Sequence, residues 1–73
     1  MKKTYQISHD KFMKGKKLIT ENSGTIYSDG TFEIKGVKGN FHYDNGILDI
    51  VVTDKPWIIS WSFIGDKLDN FFN

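Results

Sequence analysis

The sequence predicts a single α+β domain over residues 1–73, mainly β: a five- or six-strand antiparallel meander sheet with a short C-terminal helix packed on its aromatic face. From Thr25 onward, apolar and polar residues alternate in short runs, which is typical of half-buried strands. The dipeptides Asp29-Gly30 and Asn45-Gly46 divide these runs, as the two-residue turns of hairpins do. Near the C-terminus, residues 68–72 carry apolar side chains at the i, i+3 and i+4 spacing of a helix.

The strand registers that follow from these turns place the large apolar residues on one face. With a two-residue turn at Asn45-Gly46, Tyr43 lies opposite Leu48 and Phe41 lies opposite Ile50. The same face continues across the other predicted connections, which are residues 29–30, 36–39 and 54–55. Because a one-residue slip would send every side chain to the opposite face, this agreement supports the meander.

The last strand of the predicted meander covers residues 57–63, beside the strand that follows Asn45-Gly46. In that register Trp57 and Trp61 share the aromatic face with Phe41, so we expect all three rings in the core. Aromatic rings of this kind bury a large apolar area each.

The two ends of the chain show weaker patterns. Residues 3–8 alternate like an edge strand, and Ser8 is a candidate cap for one helical turn that Gly15 would end. In the C-terminal helix, predicted over residues 67–72, Asp66 is the candidate N-cap.

Composition limits the class of protein. The chain has no cysteine, which excludes disulfides, zinc ribbons and thiol chemistry. No apolar run has the length of a signal-peptide core or of a membrane span. We therefore expect a soluble cytoplasmic protein with no membrane partner and no cofactor. A single core of this size rarely supplies more than about 3–5 kcal/mol, so we also expect homo-oligomerisation, most simply a homodimer.

Polar residues on the predicted outer face suggest chemistry only weakly. His42 should lie opposite Asp49, with Asp44 and Ser60 nearby on the same face. His42 and Asp49 are explained by an ordinary exposed pair across two strands. A zinc site would need a third protein ligand in the same place. The serine has no nucleophile elbow or oxyanion hole around it. We predict no catalytic residue, no metal site and no enzymatic activity.

A lysine-rich segment near the N-terminus supports an alternative function, the binding of single-stranded nucleic acid. The candidate phosphate contacts are Lys11, Lys14, Lys16 and Lys17. Phe41 and Tyr43 resemble base-stacking residues, but they belong to the predicted core face, and the chain has no arginine to recognise bases.

The outer face of the predicted sheet is the preferred candidate for a binding site. We expect an apolar cluster there, rimmed by polar residues, in which Val51 lies opposite Ile58. Its apolar members are Ile26, Ile47, Val51, Ile58 and Ile64, and its rim is His42, Asp49 and Ser60. This predicts a small non-enzymatic protein-interaction module, of the accessory or inhibitor type, that binds a protein partner or a second copy of itself. The competing hypothesis is that the N-terminal segment covers this face.

Overall fold

A computed structural model describes all 73 residues as two helices packed on one face of a five-strand antiparallel sheet. The elements in chain order are β1 (Lys2–Gln6), α1 (His9–Glu21), β2 (Thr25–Ile26), β3 (Thr31–Ile34), β4 (Val37–Asp44), β5 (Ile47–Asp54) and α2 (Trp61–Phe72). The strand order across the sheet is β1-β5-β4-β3-β2. The predicted α+β class, with a five-strand antiparallel sheet and a C-terminal helix, is confirmed.

The β4–β5 hairpin has the predicted register. Tyr43 pairs with Leu48 and Phe41 pairs with Ile50. The turn between the strands is Asn45-Gly46, where both residues have positive φ, 50° and 79°. Asparagine and glycine adopt this conformation at low cost, so the local sequence is sufficient to specify the hairpin.

The β3–β4 connection is tighter than predicted. The turn is Lys35-Gly36, with φ of 51° and 83°, and Ile34 pairs with Val37. The predicted loop over residues 36–39 is wrong. Both registers have the same parity, however, so the apolar side chains remain on the predicted face.

Four residues, 27–30, connect β2 to β3, and here the predicted parity is wrong. Ile26 pairs with Phe32 and packs against the core, so it does not lie on the outer face. The Asp29 carboxylate accepts hydrogen bonds from the Thr31 hydroxyl (2.6 Å) and from the Thr31 backbone N–H (3.0 Å). These bonds lower the pKa of Asp29 and stabilise the longer connection.

Strand β1 occupies the sheet edge that the sequence analysis gave to residues 57–63. It runs antiparallel to β5, with Tyr5 opposite Leu48 and Lys3 opposite Ile50. The predicted strand at residues 57–63 is therefore wrong, because its hydrogen-bonding position on β5 is already filled by the N-terminus of the chain.

Helix α2 begins much earlier than predicted. Ser60 is its N-cap, since the Ser60 hydroxyl oxygen accepts a hydrogen bond from the Phe63 N–H at 3.0 Å. Asp66, the predicted cap, lies inside the helix. Ile64 is buried in the core. Neither Ser60 nor Ile64 therefore lies on the outer face of the sheet, where both were predicted.

Helix α1 continues through Gly15, where the predicted single turn would end. Its predicted cap is correct, because the Ser8 hydroxyl oxygen accepts a hydrogen bond from the Lys11 N–H. A Cβ at Gly15 would lie only 2.9 Å from Cζ of Phe72, so the absence of a side chain permits close approach of the two helices. Glycine costs about 1 kcal/mol in helix propensity at an interior position, and α1 includes it at the point where Phe72 packs.

In the N-terminal segment, β1 is an edge strand of the sheet and α1 packs on the aromatic face, so the hypothesis that this segment covers the outer face is wrong. The Phe12 ring of α1 stacks on Tyr43 with centroids 4.4 Å apart and planes 9° apart. The Tyr43 hydroxyl donates a hydrogen bond to the Ile7 carbonyl at 2.9 Å. Both helices are thus on one side of the sheet.

Asp69 connects α2 to β1. The Tyr5 hydroxyl donates to one carboxylate oxygen of Asp69 at 2.7 Å, and the Lys3 ammonium donates to the other at 3.2 Å. These two bonds hold the pKa of Asp69 below its ordinary value. Burial raises the pKa of Tyr5, and its bond to Asp69 raises it further.

We predict that Leu48→Ala destabilises the fold by about 2–5 kcal/mol, because this side chain is only 2% exposed at the centre of the core. By contrast, Trp57→Ala should change the free energy of unfolding by less than about 0.5 kcal/mol, since most substitutions of exposed residues have effects no larger than this. Urea denaturation of both variants measures this difference. A large loss in Trp57→Ala would instead support the meander with a strand at residues 57–63.

The Asp69 contacts predict a pH dependence. Folding lowers the pKa of Asp69 from its ordinary value of 3.8. The stability that the Asp69 contacts contribute is therefore complete above pH 3.8 and is lost as the pH falls through the lowered pKa. Asp69→Asn should therefore be less stable than wild type at neutral pH, with a difference that shrinks below pH 3.8. The control is Asp66→Asn on the same helix, since Asp66 is exposed and forms no ion pair. Denaturation across pH that shows the same profile for both variants would contradict this assignment.

Candidate functional site

The outer face of the sheet holds only two of the five predicted interface residues, Ile47 and Val51. Polar neighbours flank each of them on both adjacent strands, namely Gln6 and Asp44 beside Ile47, and Lys2 and Asn40 beside Val51. The predicted pairing of Val51 with Ile58 is wrong, because residue 58 is not in a strand. This face therefore presents separate apolar side chains on a polar surface.

The three residues predicted to form the polar rim do not all lie on the outer face either. His42 lies opposite Asp49, as expected from the hairpin. The Asp49 carboxylate accepts a hydrogen bond from the Thr4 hydroxyl at 2.7 Å, and it forms no ion pair with His42. Ser60 is elsewhere, as the cap of α2. The structure contains no group of three His, Asp or Glu side chains arranged to hold one metal ion.

The four predicted phosphate-contact lysines lie on α1 in two different environments. Lys14 and Lys17 are exposed, and Lys17 is 3.7 Å from Glu21. The other two lie over aromatic rings. The Lys11 ammonium group is 4.4 Å from the centroid of the Phe71 ring, and the Lys16 ammonium group is 5.5 Å from the centroid of the Phe12 ring. The aromatic residues that would stack on bases, Phe41 and Tyr43, contact Phe12 instead.

The connection between β5 and α2 and the first residue of α2 expose both tryptophans of the chain and a neighbouring isoleucine. Trp57 is 90% exposed, Ile58 is 76% exposed and Trp61 is 43% exposed. We call these three residues the tryptophan patch. The sequence pattern did not predict this patch, because the predicted register placed both tryptophans on the core face. Pro56 gave no warning, because proline is tolerated at the first residue of a strand and on edge strands.

One lysine borders the tryptophan patch. The Lys55 ammonium group lies 5.2 Å from the centroid of the Trp61 ring, within the range of a cation–π interaction. The patch is therefore an apolar surface with a positive edge.

A second apolar feature is a groove between the two helices, with the sheet as its floor. Its volume is about 680 Å³, and 16 of its 21 lining residues are hydrophobic. Phe12 and Leu18 of α1 and Phe63 and Leu68 of α2 form its walls, while β5 contributes Ile50 to its floor. The sequence pattern did not predict the groove, because the groove depends on how two helices pack across the sheet, and α1 was predicted as a single turn.

The fold is a small α+β domain with two exposed apolar surfaces, the tryptophan patch and the groove. No protein-family model, curated protein sequence or solved structure matches the chain. Neither helix has the length and apolar character required to cross a membrane.

We predict that His42→Ala changes the free energy of unfolding by less than about 1 kcal/mol, because the imidazole is exposed and its cross-strand neighbour bonds to Thr4. Zinc should not raise the melting temperature of either wild type or the variant. A zinc-dependent increase in wild type that disappears in His42→Ala would restore the metal-site hypothesis.

Proposed function

We propose that the protein is a small non-enzymatic protein-interaction module, of the accessory or inhibitor type, that binds a partner protein through the tryptophan patch. The observation that carries this proposal is the 90% exposure of Trp57 beside Ile58. Exposed apolar groups that are contiguous and rimmed by polar residues often mark interaction sites. Tryptophan is also enriched among the residues that dominate binding energy at protein interfaces.

The chemistry of the patch indicates what kind of partner fits. Trp57 and Ile58 would fill an apolar pocket, and Lys55 at the edge would face Asp or Glu side chains around that pocket. A two-fold contact between copies of this chain would bring two Lys55 ammonium groups toward one interface. Like-charge repulsion disfavours that arrangement, so a different protein is the proposed partner.

This proposal retains one of the interface residues predicted from the sequence, Ile58, and transfers the site from the sheet face to the β5–α2 connection. Nucleic-acid binding is a weaker alternative, because Phe12 covers Tyr43 and two of the four α1 lysines lie over aromatic rings. The cytoplasmic location expected from the composition belongs to the same proposal, and cell fractionation tests it.

The test compares wild type with a Trp57→Ala, Ile58→Ser double variant. Both side chains are largely exposed, so the double variant should fold normally. A partner isolated on wild type and then purified should bind the double variant about thirtyfold more weakly or worse, the effect of losing a hot spot worth about 2 kcal/mol. The matched control is Ile47→Ser, which removes an exposed apolar side chain from the outer sheet face and should bind like wild type.

Three results would overturn the proposal. The first is equal binding of the partner by wild type and the double variant. The second is a wild-type dimer, measured by light scattering, that the double variant abolishes, which would assign the patch to self-association. The third is binding of wild type to anionic lipid vesicles through the patch with no protein partner, which would assign it to a membrane surface.

A further inference from the structure

The groove between α1 and α2 is a space that the protein's own side chains leave unfilled. The helices approach closely where Gly15 meets Phe72. Beyond that contact, Leu18 on α1 and Phe63 on α2 line the same space and remain exposed. Its volume of about 680 Å³ lies within the range of small-molecule sites, which are typically apolar with a few polar groups.

The charged residues of this groove all have the same sign. Lys16, Lys35 and Lys67 line it, and the lining contains no carboxylate. They come from three different elements: α1, the β3–β4 turn and α2. None of the three forms an ion pair within the protein. The whole chain has a net charge of only +1, but the groove lining carries three lysines and no carboxylate, with the Lys16 and Lys67 ammonium groups over the Phe12 and Phe63 rings.

We propose that the groove binds a single-chain amphiphile with an anionic head group, of which a long-chain fatty acid is the simplest example. The alkyl chain would lie between the helices against the apolar lining. The carboxylate or phosphate head group would lie at Lys16, Lys35 and Lys67. An apolar space with cations and no anions is complementary to this ligand class in both shape and charge.

The proposal concerns a different surface from the protein-interaction site. Trp57, Ile58 and Trp61 do not line the groove, whereas Ile59 and Phe63 of the same segment do. Ligand binding can therefore be measured on a variant that lacks the tryptophan patch, and the two proposals can fail independently.

The first experiment titrates four probes with the same alkyl chain, each below its micelle-forming concentration: dodecanoate, dodecyl phosphate, dodecanol and dodecyltrimethylammonium. Calorimetry should show saturable binding of the two anions, weaker binding of the alcohol and none of the cation. A preference for dodecanoate would indicate a free fatty acid, and a preference for dodecyl phosphate would indicate a lysophospholipid-type head group. Tetradecanoate should bind more tightly than dodecanoate, by about fourfold for each added methylene that is buried.

The second experiment separates the head-group contacts from the apolar contacts. Lys35→Gln and Lys67→Gln, both at exposed positions, should each weaken dodecanoate binding by about two- to fivefold and leave dodecanol binding unchanged. Lys14→Gln is the matched control, since Lys14 is exposed on α1 outside the groove. This variant should bind dodecanoate like wild type. Leu18→Glu places a carboxylate in the lining at an exposed position and should abolish binding of the anions.

The proposal is overturned if dodecyltrimethylammonium binds as tightly as dodecanoate, or if no probe binds saturably. It is also overturned if Lys14→Gln and Lys67→Gln weaken dodecanoate binding equally. Light scattering that shows a dimer which Leu18→Glu dissociates would assign the groove to a second copy of the chain. The Trp57→Ala, Ile58→Ser variant should bind dodecanoate like wild type, which makes failure here distinct from failure of the protein-interaction proposal.

Discussion

The antiparallel pairing of β1 with β5 is the constraint on which the rest of the structure depends. The N-terminal ammonium group donates to the carbonyl of Val52, and the Val52 N–H donates to the carbonyl of Met1, so pairing extends to the first residue. This pairing places Tyr5 in the core, where its hydroxyl reaches Asp69 and connects α2 to the sheet. It also fills the free edge of β5. Residues 57–63 are thereby excluded from the sheet, and they form an exposed connection followed by the start of a helix.

Both helices pack on the same face of the sheet as a consequence. Helix α1 follows directly from β1 and crosses the aromatic face, and α2 returns to that face after the exposed connection. The two helices leave part of the apolar surface above the sheet uncovered, and only six hydrophobic residues are buried. The remaining apolar surface is divided between the groove and the tryptophan patch. Residues 57–63 contribute to both, with Ile59 and Phe63 toward the groove and Trp57 outward.

The sequence patterns predicted some residues of the candidate surfaces and not others. Val51 and Ile47 were correctly assigned to the outer face, because the β4–β5 register follows from a local turn. Their polar neighbours on β1 were not foreseen, since the sequence shows no local signal for which strand occupies that edge. Ile58 was identified as a surface apolar residue, although the surface that contains it is a connection and not a strand. The groove had no linear signal, because its lysines come from three separate elements.

The sequence by itself determined the features that depend on neighbouring residues: the alternation of strands β3 to β5, the Asn45-Gly46 turn, and the Ser8 cap. Steric preferences of the backbone and hydrogen bonds over a few residues are sufficient for these. Tertiary structure alone decided which segment pairs with β5 and how far each helix extends. Strand pairing at an edge is a competition between distant segments, and β1 prevails there over residues 57–63. Helix α1 extends through Gly15 because Phe72, far away in sequence, packs against the bare backbone at that position.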